Sequence, residues 1–388
     1  MTGIVDLHRI TMSLKSLLDS EIKYAVDTLL ALSFQKQANL VLQKIPHLVS
    51  AFMNAFAKSL EAAFGVLHKS KKHASTIDTS YADLFEEEIQ EIDDFQVDCE
   101  PTFQNPRIMH AERAVVMGTI LTNFSFYTEN GTFLATLQSF LLLLDRLLIL
   151  VSLPRRSPLL QGLTPRQAGL LDHRKNLVTL ISNMGAQFVI PTSSGQVLCD
   201  LLRDFLAYPE SPYAYTALEA LAKLSLLDQN REIFVTLGGL EEIIYLTSQR
   251  LPSQGLTLNA TPETVAAWEL ASLLIYNLSD MGDDTVRAII TSTPGLLGAL
   301  VRIASSGIRV GNDVHADYIR IITLRMLKTL MECTRSMDAR HALLRHETVL
   351  LPLVFQIKRS QLLTREFQDE ASELVLDILK GLREESDI

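Results

Sequence analysis

One pattern recurs down this chain: an apolar-periodic helical stretch closes on an Asn or Lys, followed by an apolar residue and then a small one. Its copies are Asn123-Phe124-Ser125, Asn183-Met184-Gly185, Lys223-Leu224-Ser225, Asn277-Leu278-Ser279 and the weaker Glu332-Cys333-Thr334. They lie about 40 to 60 residues apart, at or somewhat above the roughly 40 to 47 residues of an armadillo or HEAT unit. A unit of that size cannot bury its apolar face alone, and stacking on its neighbours supplies the missing core. The expected fold class is all-α, an armadillo/HEAT-like α-solenoid with loop insertions. Stacks of this kind present long surfaces to partners and seldom do chemistry, so scaffolding is the expected role.

The helical pattern extends beyond these copies. Leu7 to Leu32 and Leu40 to His68 read as two helices, the second carrying Ile45, Val49, Phe52, Phe56, Leu60 and Phe64 at 3.6-residue spacing, a face that needs a partner surface. Gly65 and Lys69, Lys71 and Lys72 mark its end, cations suiting the negative pole of the helix. From Pro106 the order is a helix over 112 to 126, a turn at Glu129-Asn130-Gly131, and a helix from Phe133 to Leu153. Further helices are expected from Leu170 to Met184, Gln196 to Ala207 and Tyr215 to Leu227. Asp228 to Arg231 then reads as a turn, Glu232 to Thr236 as a short helix, Gly238-Gly239 as a stop and Leu240 to Arg250 as a long helix. That helix, turn, short helix, long helix order recurs over 265 to 302 and 316 to 358, and a helix from Arg365 to Arg383 caps the stack. The expected division is an N-terminal helical segment over 1–68 packing on the solenoid, an acidic insertion over 69–105, and armadillo-like repeats over 106–388.

Charge is concentrated in one place. Between Ile77 and Glu100 there are ten acids and no Lys or Arg, so the remaining 35 acids face 35 bases and the net charge of −10 belongs to this segment. The segment reads as a solvated, flexible insertion. A sharper reading places Phe85, Ile89 and Ile92 at i, i+4 and i+7, an apolar stripe on an acidic helix able to dock on a basic partner surface. The neutral body offers no basic field for a phosphate backbone, so nucleic-acid binding is not expected.

The run Leu134 to Leu153 resembles a membrane span, but Asp145 and Arg146 sit at its middle, each costing about 2.5 to 3.5 kcal/mol at a bilayer centre. A buried core helix, with those charges leaving the core, is the expectation, and no membrane partner is expected. Cys99, Cys199 and Cys333 show no ligand spacing and read as free thiols in a reducing, intracellular setting. No nucleophile elbow, P-loop or GxGxxG is present, and His341 and His346 are five apart, off the face a helical metal pair needs. Neither an enzyme, a cofactor, a metal nor a small-molecule substrate is expected.

LxxLL pentapeptides at Leu14–Leu18, Leu144–Leu148, Leu198–Leu202 and Leu270–Leu274 are read as core, since any buried helix puts Leu at those offsets. The repeat asparagines have two readings. In armadillo adaptors such an Asn binds an extended peptide with a Trp four residues earlier. Here Thr119, Thr179, Glu219 and Leu273 hold that place, and the single tryptophan is Trp268. A helix-end capping role is the other reading. The residues expected to meet partners are Lys223, Asn277, Arg325 and Lys328 on the groove helices, with Phe85, Ile89 and Ile92 in the acidic segment.

A set of short segments in a fixed order carries a resemblance. They are Thr11 to Ser16, Tyr24 to Leu29, Pro46-His47-Leu48 to Phe64-Gly65, Ala111-Glu112-Arg113 to Ser125, Ala217 to Ser225, Glu269-Leu270-Ala271 to Leu278, and Val286 to Ile289. In this order they resemble the C-terminal core region of the SWI/SNF chromatin-remodeller subunits that carry an AT-rich interaction domain (ARID). Leu170-Leu171-Asp172-His173 replaces the Trp-rich entry of animal members, which points to a fungal member, and 150 to 168 and 251 to 262 do not align with the family. The ARID itself is absent. The resemblance implies an armadillo-like scaffold in the remodeller's base module, located in the nucleus. It would bind the SWIRM- and SANT-bearing subunit, other core subunits and the helix preceding the ATPase motor, and would support remodelling and transcription regulation. The alternative is a generic armadillo adaptor with an extended peptide in its concave groove.

Overall fold

The structure is a computed structural model. It describes residues 6–16, 18–35, 40–67, 76–95, 105–237, 239–252, 261–305, 321–329, 343–345, 347–348, 350, 352 and 365–383. Among these residues every regular element is helical. The chain divides into two compact units, Met1–Ala220 and Leu221–Ile388.

The first unit opens with α1 (Leu7–Lys15) and α2 (Asp19–Ser33), which the periodicity had merged into one helix. Asp6 caps α1 by accepting from the amides of His8 and Arg9, and Leu18, in extended backbone, starts α2. The next helix, α3, runs Pro46–Phe64 rather than from Leu40, because the residue before a proline is driven out of the helical region and proline itself suits the first turn. It ends at Gly65, whose φ of 75° needs no Cβ. Phe52, Phe56, Leu60 and Phe64 are buried as the spacing predicts. Helix α3 packs on α5 (Pro106–Ser125), with α1 and α2 against the same pair. The N-terminal segment is thus an integral layer of this unit. Within the acidic segment lies α4 (Tyr81–Phe95), which packs on α8 (Leu170–Met184).

The run that resembled a membrane span is two helices, α6 (Thr128–Thr136) and α7 (Gln138–Val151), bent by 82°. Leu137 between them is extended at φ −78°, ψ 107°. Among the described residues no single helix is long and apolar enough to cross a membrane. Leu143, Leu144, Leu147 and Leu148 are buried while Arg146 is exposed, as an amphipathic core helix requires. The Glu129-Asn130-Gly131 segment is not a turn but the first turn of α6. Its glycine permits close packing: a Cβ on Gly131 would lie 2.6 Å from the Asn183 carbonyl oxygen. Helix α9 (Gly195–Leu206) completes the aromatic wall described below.

The second unit holds the end of α10 (Pro212–Leu224), then α11 (Asp228–Thr236), α12 (Leu240–Ser248), α13 (Pro262–Ser279), α14 (Asp284–Ser292) and α15 (Leu296–Ser305). The expected short-then-long order is not what forms: α11 and α12 have nine residues each and α14 and α15 nine and ten, with an 85° bend between the last two. Asp228 to Arg231, expected as a turn, forms the start of α11. Residues 321–329 are helical, and α16 (Arg365–Arg383) buries Ala371, Val375 and Ile378. The expected features at Glu332-Cys333-Thr334, at 336 to 338, at His341 and His346 and at Cys99 lie outside the described residues.

Candidate functional site: surfaces for protein partners

The recurring signature has a structural use. The side-chain amide of Asn123 donates to Ser33 Oγ at 3.0 Å, that of Asn183 to Ser125 Oγ at 2.8 Å, and that of Asn277 to Ser225 Oγ at 2.9 Å. Each of these serines in turn donates to the carbonyl three residues earlier, on Leu30, Thr122 and Ala222, at 2.7 Å. The Asn of one signature therefore bonds the Ser at the end of an earlier helix, and the chain of bonds satisfies polar groups that the stack buries. Ser33 belongs to this series although no Asn precedes it in α2. The Leu32-Ser33 ending was the only sequence signal for it.

Four of the residues expected to meet partners are placed accordingly. Asn277 is 5% exposed and its amide is committed to Ser225, so it serves cohesion of the repeats rather than an outside ligand. Lys223 is half-buried at the equivalent place on α10 and is engaged within the chain. Arg325 pairs with Glu370, and Lys328 Nζ lies 2.6 Å from Asp377. That bond holds the Asp377 carboxyl below the usual carboxylate range. Both cations therefore tie the 321–329 helix to α16.

Sequence reasoning missed two buried asparagines. Asn130 donates from its amide to the carbonyls of Leu40 and Phe124 and accepts from the Leu42 amide. Asn230 donates to the Leu224 carbonyl at 3.1 Å. Each sits seven residues after the first residue of a signature and satisfies a carbonyl at the end of the preceding helix. The spacing was present in the sequence, but both residues looked like turn formers. Arg107 was also missed. Its guanidinium donates to the carbonyls of Ala63, Leu159 and Gln161, tying the end of α3 to the following connector.

The acidic helix α4 is held firmly on one side. Ser80 and Asp83 exchange side-chain bonds with each other's amides at its start, a reciprocal cap. The Asp204 carboxylate accepts from the Tyr81 amide at 2.8 and 3.0 Å. Behind it the buried Arg174 donates to the carbonyls of Thr79 and Val151 and meets Asp204 at 3.3 Å. Burial lowers Arg174 to about 10 and pushes Asp204 up, the latter opposed by the Tyr81 amide and by Arg174. The Tyr81 ring stands against Phe205 at 4.8 Å and Tyr208 at 5.4 Å. Leu84 is buried, Glu87 pairs with Arg155, and Thr164 donates to Glu91 at 2.9 Å. Glu88 faces the body too. Burial first, then the charge of Asp172, raises its carboxyl to about 7.

The other side of α4 is bare. Phe85, Ile89 and Ile92 are 42%, 44% and 41% exposed. The part of the acidic segment over 81–95 is thus neither a flexible loop nor a fully solvated helix. It is an anchored helix whose apolar stripe points outward. A second set of exposed side chains, Phe34, Phe126 and Leu226, follows directly after the signature serines. Cys199, by contrast, is a free, buried thiol pushed up to about 12 by burial, which leaves it unreactive.

No family model matches this sequence, and no curated protein matches it. Among solved structures, the crystal structure of SYS-1 is similar with a TM-score of 0.50 at 12% identity, covering 98% of this chain and 67% of the SYS-1 chain. SYS-1 is an armadillo-like α-solenoid. The chain has the all-α, armadillo-like solenoid fold that its repeat signature predicts.

Proposed function

We propose that this chain is a non-catalytic scaffold that binds other proteins, and specifically a core subunit of a SWI/SNF-type chromatin remodeller acting in the nucleus. The scaffold reading rests on one observation. Helix α4 is clamped by a buried ion pair, an aromatic wall and a reciprocal cap, and still turns three large apolar side chains outward. Rigidly presented apolar surface of this kind belongs to interaction sites. The remodeller assignment rests on the ordered resemblance of segments from Thr11 to Ile289 to the core region of the ARID-bearing subunits. The peptide-adaptor alternative draws no support from the asparagines, whose amides bond serines of the chain itself.

The test is affinity purification of the chain from nuclear extract at moderate salt, with mass spectrometry of the retained proteins. The SWIRM-bearing subunit and the ATPase recovered in near-equal amounts are the expected result. Recovery of unrelated peptides, or of nothing, overturns the remodeller assignment.

A further inference from the structure

We infer that the outer face of α4 is a docking site for a basic amphipathic helix of another protein. The inference deepens the scaffold reading above and rests on it for the existence of a partner, but not on the identity of the complex.

Three features select the occupant. The stripe Phe85, Ile89, Ile92 spans two turns, about 10 Å of helix, and stands on a convex helix rather than in a slot. Another helix, with apolar residues at the same spacing, is the element that packs along such a ridge. The charge of the site is one-sided. From Tyr81 to Phe95 the helix carries Asp83, Glu86, Glu87, Glu88, Glu91, Asp93 and Asp94 and no base. The cations beside α4 are few: Arg155 is paired with Glu87, the exposed Arg156 lines with it the cleft that Asp83 and Glu86 also line, and Lys175 and Arg166 act on Glu88. Glu86, one residue on from Phe85, is exposed at the flank of the stripe. An apolar stripe on a helix with seven acids and no base of its own calls for Lys or Arg beside the partner's own stripe. The same charge excludes other occupants. A second copy of this chain would set α4 against α4, acid on acid, and nucleic acid or an anionic membrane would be repelled.

Anchoring explains why the stripe stays available. Helix α4 is held by Leu84, Tyr81 and the Asp204 cap on its inner side, so the stripe cannot roll into the core. A pre-ordered helix also avoids the ordering cost that a flexible acidic loop would carry on binding.

The experiment uses the full chain and a fluorescein-labelled, 18-residue designed helical peptide with Leu at i, i+4 and i+7 and Lys on the flanks, followed by anisotropy. Two control peptides replace all Lys by Glu or all Leu by Ser. The expected result is saturable binding of the Lys/Leu peptide and at least about tenfold weaker binding of both controls. The double variant Ile89→Ser/Ile92→Ser is expected to weaken it by a similar factor, and Glu86→Lys severalfold, with the effect of Glu86→Lys fading at high salt. The substituted side chains are surface residues, and unchanged circular dichroism and melting will establish that the variants fold. Absence of binding of the Lys/Leu peptide up to about 100 μM, equal binding of the Glu peptide, or full affinity in the double variant would each overturn the inference. The remodeller assignment fails separately. If the peptide binds but no remodeller subunit co-purifies, the docking site stands and the assignment falls. If subunits co-purify and the peptide does not bind, the reverse holds.

Discussion

The most discriminating perturbation is a double-mutant cycle on Asn277 and Ser225. The two side chains meet at 2.9 Å in a buried position, Ser225 being fully buried, and Ser225 also donates to the Ala222 carbonyl. Asn277→Ala removes one hydrogen bond, leaves the serine oxygen without that donor, and opens a small cavity. Together these should cost about 2 to 3 kcal/mol. Ser225→Ala leaves the amide of Asn277 without its acceptor, at about 1 to 2 kcal/mol. Once either partner is gone the other has less to lose, so the double variant should be more stable than the sum implies by about 1 kcal/mol. The assay is urea unfolding followed by Trp268 fluorescence. Trp268 is the one tryptophan of the chain, lies on the same helix α13 as Asn277 and is 7% exposed, so it reports on this repeat. Asn183 with Ser125, at 2.8 Å, gives an independent cycle read by thermal melting. Coupling below about 0.3 kcal/mol in both pairs would refute the reasoning, as would loss of peptide binding with stability unchanged.

Other expectations follow from single contacts. Gly131→Ala would set a methyl 2.6 Å from the Asn183 carbonyl oxygen, and backbone cannot yield cheaply, so a loss of about 1 to 3 kcal/mol is expected by thermal melting. Asp204→Ala removes the cap of α4 and strands the buried Arg174. A loss of about 3 kcal/mol should appear as faster proteolysis within 81–95, and unchanged cleavage there would count against the clamp. The Glu88 carboxyl is raised to about 7 from 4.5, so the folded state holds its proton more tightly than the unfolded one, and this group's contribution to stability is lost as pH rises between those values. Glu88→Gln should therefore melt like the parent near pH 4 and higher than the parent above pH 7.5. The gain should be about 1 kcal/mol once the exposed half of the group is allowed for. His173 is fully buried and lowered to about 4, so stability should fall as pH drops from about 6.5 to 4, by about 2 kcal/mol at pH 5. In His173→Phe that slope should be absent.

Much of this protein was legible in its residues. Apolar spacing alone placed α8 at Leu170–Met184 and α16 at Arg365–Arg383 and led to an all-helical stack, because a 3.6-residue period is local and survives whatever the helix later packs against. It also placed Phe85, Ile89 and Ile92 on one face of a helix. What local pattern could not supply was the partner of each polar group. Asn130 and Asn230 looked like turn formers, and Gly131 looked like a breaker. In the fold the two asparagines satisfy helix-end carbonyls and the glycine lets one helix approach the end of another. Arg325 and Lys328 looked like free groove cations, yet their partners on α16 lie 45 and 49 residues further on. The outward stripe on α4 likewise depended on Asp204 and Arg174, more than 75 residues away in sequence, to anchor the opposite side. Periodicity determines which faces are apolar. Only the tertiary structure decides which of those faces, and which polar side chains, find a partner within the chain, because that depends on contacts between residues far apart in sequence.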